Sequence, residues 1–283
     1  MSANRHSIAD NFDRNIHRPG FSGKRTGRFS EHRALWAPGV KNRTQASLYI
    51  NKRIEEHALA IEAVKILDLG CGIGSTMVDL AKARDARYSG LTLSRTQKQT
   101  GDEFILKQGL QERIRIFEGD FRDPKVFRLF PDQHLMYAVE STSRLPEKAD
   151  IAPLVAESLV SGGRMILCDY MLRDEEDVLL AKDRILLKAL RDCGYTPGVR
   201  SAKEWIGSFE EAGLETIAAE DFSRWLKVLP LSAFAAQSVL FLAKKSGWLR
   251  AEMLAGKTAL SSMLRRGSMQ YRFLVFQKNR ESA

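Results

Sequence analysis

Apolar positions along this chain switch repeatedly between two spacings: short continuous runs, and the 3.6-residue period of an amphipathic helix. Trp36 to Ala60 carries Tyr49, Ile50, Ile54 and Leu59 at helical spacing, which predicts an entering helix with one buried face. Val64, Ile66, Leu67 and Leu69 form a compact apolar run, expected of a strand buried on both sides. From Ser75 the spacing becomes helical again, with Met77, Leu80 and Ala81 on one face. The alternation continues with a strand over Tyr88–Ser94, a helix opening at Arg95, and strands over Ile114–Phe121 and His134–Ser141. An amphipathic helix over Ala149–Val160 (Ile151, Leu154, Val155, Leu159) is expected to stop at Gly162-Gly163, before a fifth strand at Arg164–Tyr170.

Beyond this point, Asp174–Cys193 reads as a helix through Val178, Leu179, Ile185, Leu186 and Leu190. Ser201-Ala-Lys-Glu204 is a capping box; it starts a helix that faces inward through Trp205, Phe209 and Ala212 and ends at Gly213. Leu214–Asp221 reads as a strand. Phe222–Arg266, with Trp225, Phe234, Phe241 and Trp248, reads as mostly helical. Met269, Tyr271, Phe273 and Val275 alternate with period two, giving a closing strand. Strands separated by helices predict an α/β fold with about seven strands in a parallel-type sheet, covered by a helical cap near 172–213 and 222–266.

The connection after the first strand carries the chemistry. Val64-Lys-Ile-Leu-Asp-Leu-Gly-Cys-Gly-Ile-Gly74 places glycines where the backbone must turn sharply and approach a ligand closely. The spacing is G-x-G-x-G with Asp68 before it, unlike the G-x-G-x-x-G cradle of a dinucleotide. This stretch resembles motif I of the class I S-adenosylmethionine-dependent methyltransferases. Tyr88-Ser-Gly-Leu-Thr-Leu-Ser94 with Gln97 resembles the G-[IV]-T-L-S-x-x-Q variant found in sterol, tocopherol, cyclopropane-lipid and prenyl-diphosphate methyltransferases; most of the family has an acid there. Glu140-Ser-Thr-Ser-Arg-Leu is similar to E-S-T-M-Y of geranyl-diphosphate enzymes, and Arg144 stands where sterol and tocopherol enzymes have His. Gly267-Ser-Met-Gln-Tyr-Arg-Phe273 resembles the closing strand of the group.

The resemblance covers residues 60–171 well. It implies a Rossmann-like, seven-stranded, mostly parallel sheet with an antiparallel last strand. The subgroup it points to is the small-molecule C-methyltransferases similar to geranyl or farnesyl diphosphate, sterol and tocopherol C-methyltransferases. The cofactor would be S-adenosyl-L-methionine, held by Asp68, Gly70, Cys71, Gly72, Gly74, Thr92, Leu93, Gln97, Asp120 and Phe121. In this reading Asp120 accepts from the adenine amino group and Phe121 packs beside the ring; the plain alternative for Asp120 is a helix cap or turn.

Charge changes the picture at one end. The chain has a net charge of +9, and residues 1–45 hold nine Lys/Arg against three acids. This basic arm fits a solvated tail, a lid offering Arg to an anionic substrate, or a nucleic-acid contact. Nucleic acid is disfavoured because the fourth strand lacks the Asn/Asp-Pro-Pro-aromatic signature. Residues 46–283 would form the methyltransferase domain. The 44% hydrophobic content suits a globular core, and no apolar run approaches the roughly 20 residues of a membrane span. The start lacks a secretory hydrophobic region, and Cys71, Cys168 and Cys193 show no C-x-x-C spacing, so a cytoplasmic protein with reduced thiols is expected. The histidines at 6, 17, 32, 57 and 134 have no ligand spacing, so no resident metal is expected; Mg²⁺ would arrive with a diphosphate substrate.

Glu140 is the candidate catalytic acid, as a general base or a stabiliser of a carbocation, against the alternative that it only hydrogen-bonds cofactor or backbone. Tyr49, Arg144, Tyr170 and Trp225 are candidate substrate contacts. Helical spacing equally suits packing for the aromatics, and Arg144 equally suits the surface. The expected activity is C-methylation of a prenyl diphosphate of the geranyl or farnesyl class in terpenoid or other specialised metabolism. The alternatives are N- or C-methylation of an aromatic or indole-like metabolite, an RNA-binding methyltransferase, or a silent S-adenosylmethionine-binding module. The partner expected is a small anionic molecule; the oligomeric state, including a homo-oligomer, stays open.

Overall fold

The computed structural model describes residues 32–145, 150–192, 196–228 and 249–279. Its centre is a seven-stranded sheet in the order β3-β2-β1-β4-β5-β7-β6, formed by β1 (Lys65–Leu69), β2 (Arg87–Thr92), β3 (Ile114–Glu118), β4 (Gln133–Val139), β5 (Leu159–Leu172), β6 (Leu214–Asp221) and β7 (Met269–Lys278). The pairings β1–β2, β2–β3, β1–β4 and β4–β5 are parallel. β7 is antiparallel, as the resemblance implied for the last strand, and it enters between β5 and β6.

Parallel neighbours need crossover connections, and helices supply them. In chain order these are α1 (Arg43–Ser47), α2 (Tyr49–Ala60), α3 (Ser75–Ala83), α4 (Arg95–Lys107), α5 (Pro124–Phe127), α6 (Ala152–Ser158), α7 (Ala181–Asp192), α8 (Ala202–Glu211) and α9 (Leu249–Arg266). Strand residues alternate between two hydrophobic layers. Ile66, Tyr88, Ile116, Tyr137, Ile166 and Phe273 join one. Leu67, Leu69, Leu91, Met136, Leu167 and Phe276 join the other. Both faces of the central strands are therefore dry, which explains their near-continuous apolar runs.

The predicted strands are all present, but several helical boundaries and faces differ. The entering helix begins at Arg43, not Trp36, and pauses at Leu48; Ile50 and Ile54 are buried, whereas Leu59 is exposed and Ala58 takes its place. Val64 is exposed and precedes β1. The pair Gly162-Gly163 does not stop a helix. α6 ends at Ser158, and both glycines lie inside a longer β5 that already pairs with Gln133 at Leu159. In the next segment Val178 and Ile185 face outward, while Leu186, Leu187 and Leu190 are buried. The capping box is formed as expected, with Ser201 Oγ accepting from Glu204 N at 3.1 Å and Glu204 Oε2 accepting from Ser201 N at 2.6 Å. Trp225 lies in a single 3₁₀ turn, Ser223–Trp225. Phe234, Phe241, Trp248 and Cys193 lie outside the described residues, as do residues 1–31 of the arm. Cys71 and Cys168 are buried, and neither forms a disulfide with a described residue. No helix among the described residues is long and apolar enough to cross a membrane.

The chain leaves β1 toward β2 and β3 on one side and returns to β4 on the other. The β1/β4 boundary is therefore the switch point where open α/β sheets place ligands, beyond the strands' carboxyl ends. α4 is pressed onto the turn at this boundary: a Cβ added at Gly101 would lie 2.8 Å from the Ile73 carbonyl oxygen and 2.5 Å from Ile116 Cδ1. Gly→Ala in a helix normally stabilises by about 1 kcal/mol. Here overpacking costs about 1–3 kcal/mol and reverses the sign, so Gly101→Ala is expected to lower the melting temperature by several degrees in a thermal denaturation. A raised melting temperature would show that α4 does not press on the turn.

Candidate active site

Two turns meet at the switch point. The first follows β1: Gly70, Gly72 and Gly74 have φ of 91°, 58° and 79°, left-handed values that only glycine adopts freely. Gly74 caps α3, whose first N–H groups open toward the turn. A Cβ at Gly70 would stand 2.5 Å from Ser141 Cβ and 3.7 Å from Phe121 Cε1. The turn thus offers bare backbone at a helix N-terminus, flanked by the buried acid Asp68 and by Phe121. This suits the amino-acid end of S-adenosylmethionine, the cofactor the motif implies.

The sequence-predicted cofactor residues gather along this edge. Cys71 is buried beneath the turn and would press on any side chain at Gly90. Thr92 Oγ1 donates to Gln97 Oε1 at 2.7 Å and accepts from Ser94 N at 3.2 Å. Ser94 caps α4 through Gln97 N at 2.9 Å. With Leu93 half-buried between them, this hydrogen-bonded loop occupies the strand end where an acid stands in most of the resembled family. Asp120 is buried just beyond β3, but its carboxylate is gripped by Arg122 through Nε (2.9 Å to Oδ1) and Nη2 (2.6 Å to Oδ2), and it also accepts Arg122 N. The helix-capping aspartate here is Asp123, at α5, and not Asp120.

The second turn follows β4. Glu140 adopts φ 51°, a strained left-handed backbone for a branched-free acid. Its N–H donates to Cys168 O at 2.9 Å. Ser141 Oγ donates to Leu69 O at 2.6 Å, tying this turn to the end of β1. Fully buried Asp169 anchors the 3₁₀ turn Thr142–Arg144, accepting from Thr142 Oγ1 at 2.9 Å and Ser143 N at 2.8 Å. Burial pushes the Asp169 carboxyl pKa up, and the bonds from Ser143 pull it back. The Glu140 carboxylate accepts on Oε1 from Arg33 N (2.8 Å) and Tyr271 Oη (2.9 Å). A left-handed residue costs about 1–2 kcal/mol, and each hydrogen bond to a charged group returns about 1.5–3 kcal/mol. Two such bonds outweigh the strain.

Arg33 belongs to the described end of the basic arm. Its Nε donates to Tyr170 Oη at 2.5 Å, and Tyr170 packs on Tyr271 with ring centroids 5.0 Å apart. Beside it His32 Nε2 lies 2.6 Å from Thr76 Oγ1, in the first turn of α3. Leu35 is buried and bridges to Leu226, and Trp36 N donates to Trp225 O at 2.8 Å. Residues 32–36 therefore cross from the cofactor-side helix to the closing strand's neighbourhood, touching Glu140 on the way. Tyr49 and Trp225 meet each other at 5.4 Å and pack with Phe222, so both serve an aromatic wall next to this strap. Arg144 is half-buried at the end of the Glu140 turn. The sequence marked the basic arm as a source of Arg but not the contacts of Arg33, and it did not mark Asp169 or Tyr271: each is bonded to a partner more than 25 residues away, and no local spacing signals such a pair.

Burial lowers the His32 pKa to about 4 from 6.5. The unfolded chain then takes up a proton that the folded chain refuses between about pH 6.5 and 4, so stability falls as pH drops through that window. Melting curves recorded from pH 7 to 4.5 are expected to fall more steeply for the natural protein than for His32→Gln. Parallel curves would mean that the imidazole is not enclosed.

Comparison with known proteins agrees with this geometry. Residues 49–131 match the family model described as mycolic acid cyclopropane synthetase. The chain is 30% identical over 185 residues to a probable chloroplastic tocopherol O-methyltransferase of Oryza sativa, covering 60% of this chain and 50% of that protein. It is 25% identical over 177 residues to a sterol 24-C-methyltransferase of Gibberella zeae, covering 62% and 45%. The chain thus spans about half the length of the curated relatives it matches. Among solved structures, geranyl diphosphate C-methyltransferase from Streptomyces coelicolor, bound to Mg²⁺, geranyl diphosphate and S-adenosylhomocysteine, superposes with a TM-score of 0.70 at 15% identity, covering 98% of each chain. In its glycine turn, its sheet order and these relatives, the chain is similar to the class I S-adenosylmethionine-dependent methyltransferases, whose fold it shares.

Proposed function

We propose that this protein transfers a methyl group from S-adenosylmethionine to a carbon of a small anionic acceptor, with a prenyl diphosphate of the geranyl or farnesyl class as its first candidate. The observation that carries this reading is the Glu140 carboxylate, held at the carboxyl end of β4 beside the glycine turn. The cofactor would be held by Asp68, Gly70, Cys71, Gly72, Gly74, Thr92, Leu93, Gln97, Asp120 and Phe121. When bound, it supplies an electrophilic methyl group.

The chain's own residues then position, shield and handle a proton. In-line displacement at a methyl carbon is governed by approach geometry and dryness, which the strap at 32–36 and the aromatic wall of Tyr49, Phe222 and Trp225 would provide. When one alkene carbon bonds to the methyl group, the π pair is spent and the adjacent carbon becomes cationic. Glu140 would face that charge and accept the proton released when the double bond re-forms, and the ring face of Tyr170 adds to the stabilisation. Arg33 and Arg144 would bind the diphosphate, Arg33 by exchanging its bond to Tyr170 for the anion. Mg²⁺ would enter as part of that substrate.

The structure from Streptomyces coelicolor is named for geranyl diphosphate, which supports the first candidate. The rice relative is named for an O-methylation of tocopherol. With the edge-to-face aromatic cluster of Tyr49 and Trp225, it supports an aromatic or indole-like acceptor as the second reading.

Product analysis after incubation with S-adenosylmethionine, Mg²⁺ and geranyl diphosphate, farnesyl diphosphate or indolic acceptors separates the readings. A methylated allylic diphosphate is expected; methylation of the indolic acceptors alone sinks the first candidate. Glu140→Gln should bind S-adenosylhomocysteine within about threefold of the natural protein while kcat falls about 10²–10⁴-fold. Undiminished turnover would remove the carboxylate's role. Arg33→Ala keeps its backbone N–H and loses its guanidinium. It should raise KM for the diphosphate about tenfold with little change in kcat, and an unaltered KM would detach the arm from substrate binding.

A further inference from the structure

We infer that Tyr271, on the closing strand, is a positioning residue that dedicates one oxygen of Glu140 to the reaction; this rests on the reading of Glu140 as the carboxylate that meets the acceptor. A carboxylate has two equivalent oxygens and about four acceptor positions, and a free one turns about its terminal bond. Here the equivalence is broken. Tyr271 Oη at 2.9 Å and Arg33 N at 2.8 Å both donate to Oε1, which fills that oxygen. Oε2 accepts no hydrogen bond from any described residue.

The tether works because both of its ends are immobile. On the Glu140 side, the left-handed backbone is fixed through Cys168 O, Ser141 is tied to Leu69 O, and the next two residues are tied to Asp169. On the other side, Tyr271 is fully buried in mid-sheet, directly opposite Tyr170 in the β5–β7 register. Its N–H donates to Ser223 Oγ at 2.8 Å, its carbonyl accepts from Phe222 N at 2.8 Å, and its ring lies against that of Tyr170. Burial, together with neighbouring Cys168 and Glu140, holds its phenol well above the ordinary ionisation range. The hydroxyl is therefore a permanent donor and does not itself take the acceptor's proton. Oε2 is left to face the acceptor in a single orientation, in the manner in which a buried carboxylate orients a catalytic imidazole from behind.

Two measurements on the full chain test the assignment. The first needs no acceptor: a double-mutant cycle of Tyr271→Phe and Glu140→Ala by denaturant unfolding. The two changes should be non-additive by about tenfold in the unfolding equilibrium constant, as expected of a hydrogen bond to a charged group. Additive effects overturn the inference. The second uses geranyl diphosphate with Mg²⁺. Tyr271→Phe should lower kcat about 10–100-fold, leave the acceptor KM and S-adenosylhomocysteine affinity within twofold, and cause no further loss in the Glu140→Gln background. An equal loss in that background means that Tyr271 acts elsewhere, and the inference fails. If Glu140→Gln is inactive but Tyr271→Phe turns over like the natural protein, only the positioning role falls. If Glu140→Gln itself turns over normally, the reading of Glu140 falls and takes this inference with it.

Discussion

Position 70 admits no side chain, and the arrangement of the site follows from that. The turn after β1 and the turn after β4 run so close that a Cβ on Gly70 would overlap Ser141, and Ser141 in turn donates its hydroxyl to the last carbonyl of β1. Parallel pairing of β1 with β4 brings the two strand ends side by side, and the missing side chain lets the turns touch. One turn offers backbone at the mouth of α3 and the other offers a carboxylate. Their separation is therefore set by covalent geometry and sheet register more than by any side-chain contact that thermal motion could loosen.

Around this contact the molecule concentrates unfavourable choices and compensates them locally. A left-handed glutamate, a fully buried aspartate and a fully buried tyrosine hydroxyl would each cost stability alone. Asp169 is satisfied by three donors from the segment 142–170, and the tyrosine hydroxyl by the glutamate it holds. Such a cluster is high-stakes: complete, it specifies one geometry; with one member missing, it leaves buried polar atoms without partners. The Arg53–Glu220 pair, bidentate at 2.6 and 3.0 Å and lying over Phe222 and Phe273, braces the aromatic wall beside it. That pairing is half-exposed and serves mainly to fix where β6 meets α2.

Much of this was legible in the chain. The glycine turn, the strand order of apolar runs and the capping box at Ser201 are local signals, and local signals survive folding because their causes lie within a few residues. Glu140 was legible by resemblance. Errors arose where tertiary pairing overrode a local cue. Gly162-Gly163 looks like a helix stop, yet β4 was available to pair with that stretch, and β5 grew backward through it. Val178 and Ile185 look like core residues, yet both are exposed, Val178 in a 3₁₀ turn ahead of α7 and Ile185 on α7 itself, while Leu186 and Leu190 are buried. The partners of Glu140 were illegible for the same reason: Arg33 and Tyr271 lie 107 and 131 residues away, and nothing in hydrophobic period encodes a hydrogen bond at that range.

The insertion of β7 between β5 and β6 has a consequence for how the molecule is made. β1 through β5 supply the parallel sheet and the glycine turn, but the hydroxyl that grips Glu140 is synthesised 131 residues after it. At about 5–20 residues per second, ribosomes deliver the two groups roughly 7–26 seconds apart. During that interval the nascent sheet must keep a slot open beside β5, with its edge unpaired, until the strand at 269–278 arrives to fill it. A nascent chain would therefore acquire its glycine-turn edge early and its ordered carboxylate last, and the same unfilled slot is where a cellular chaperone would find exposed backbone.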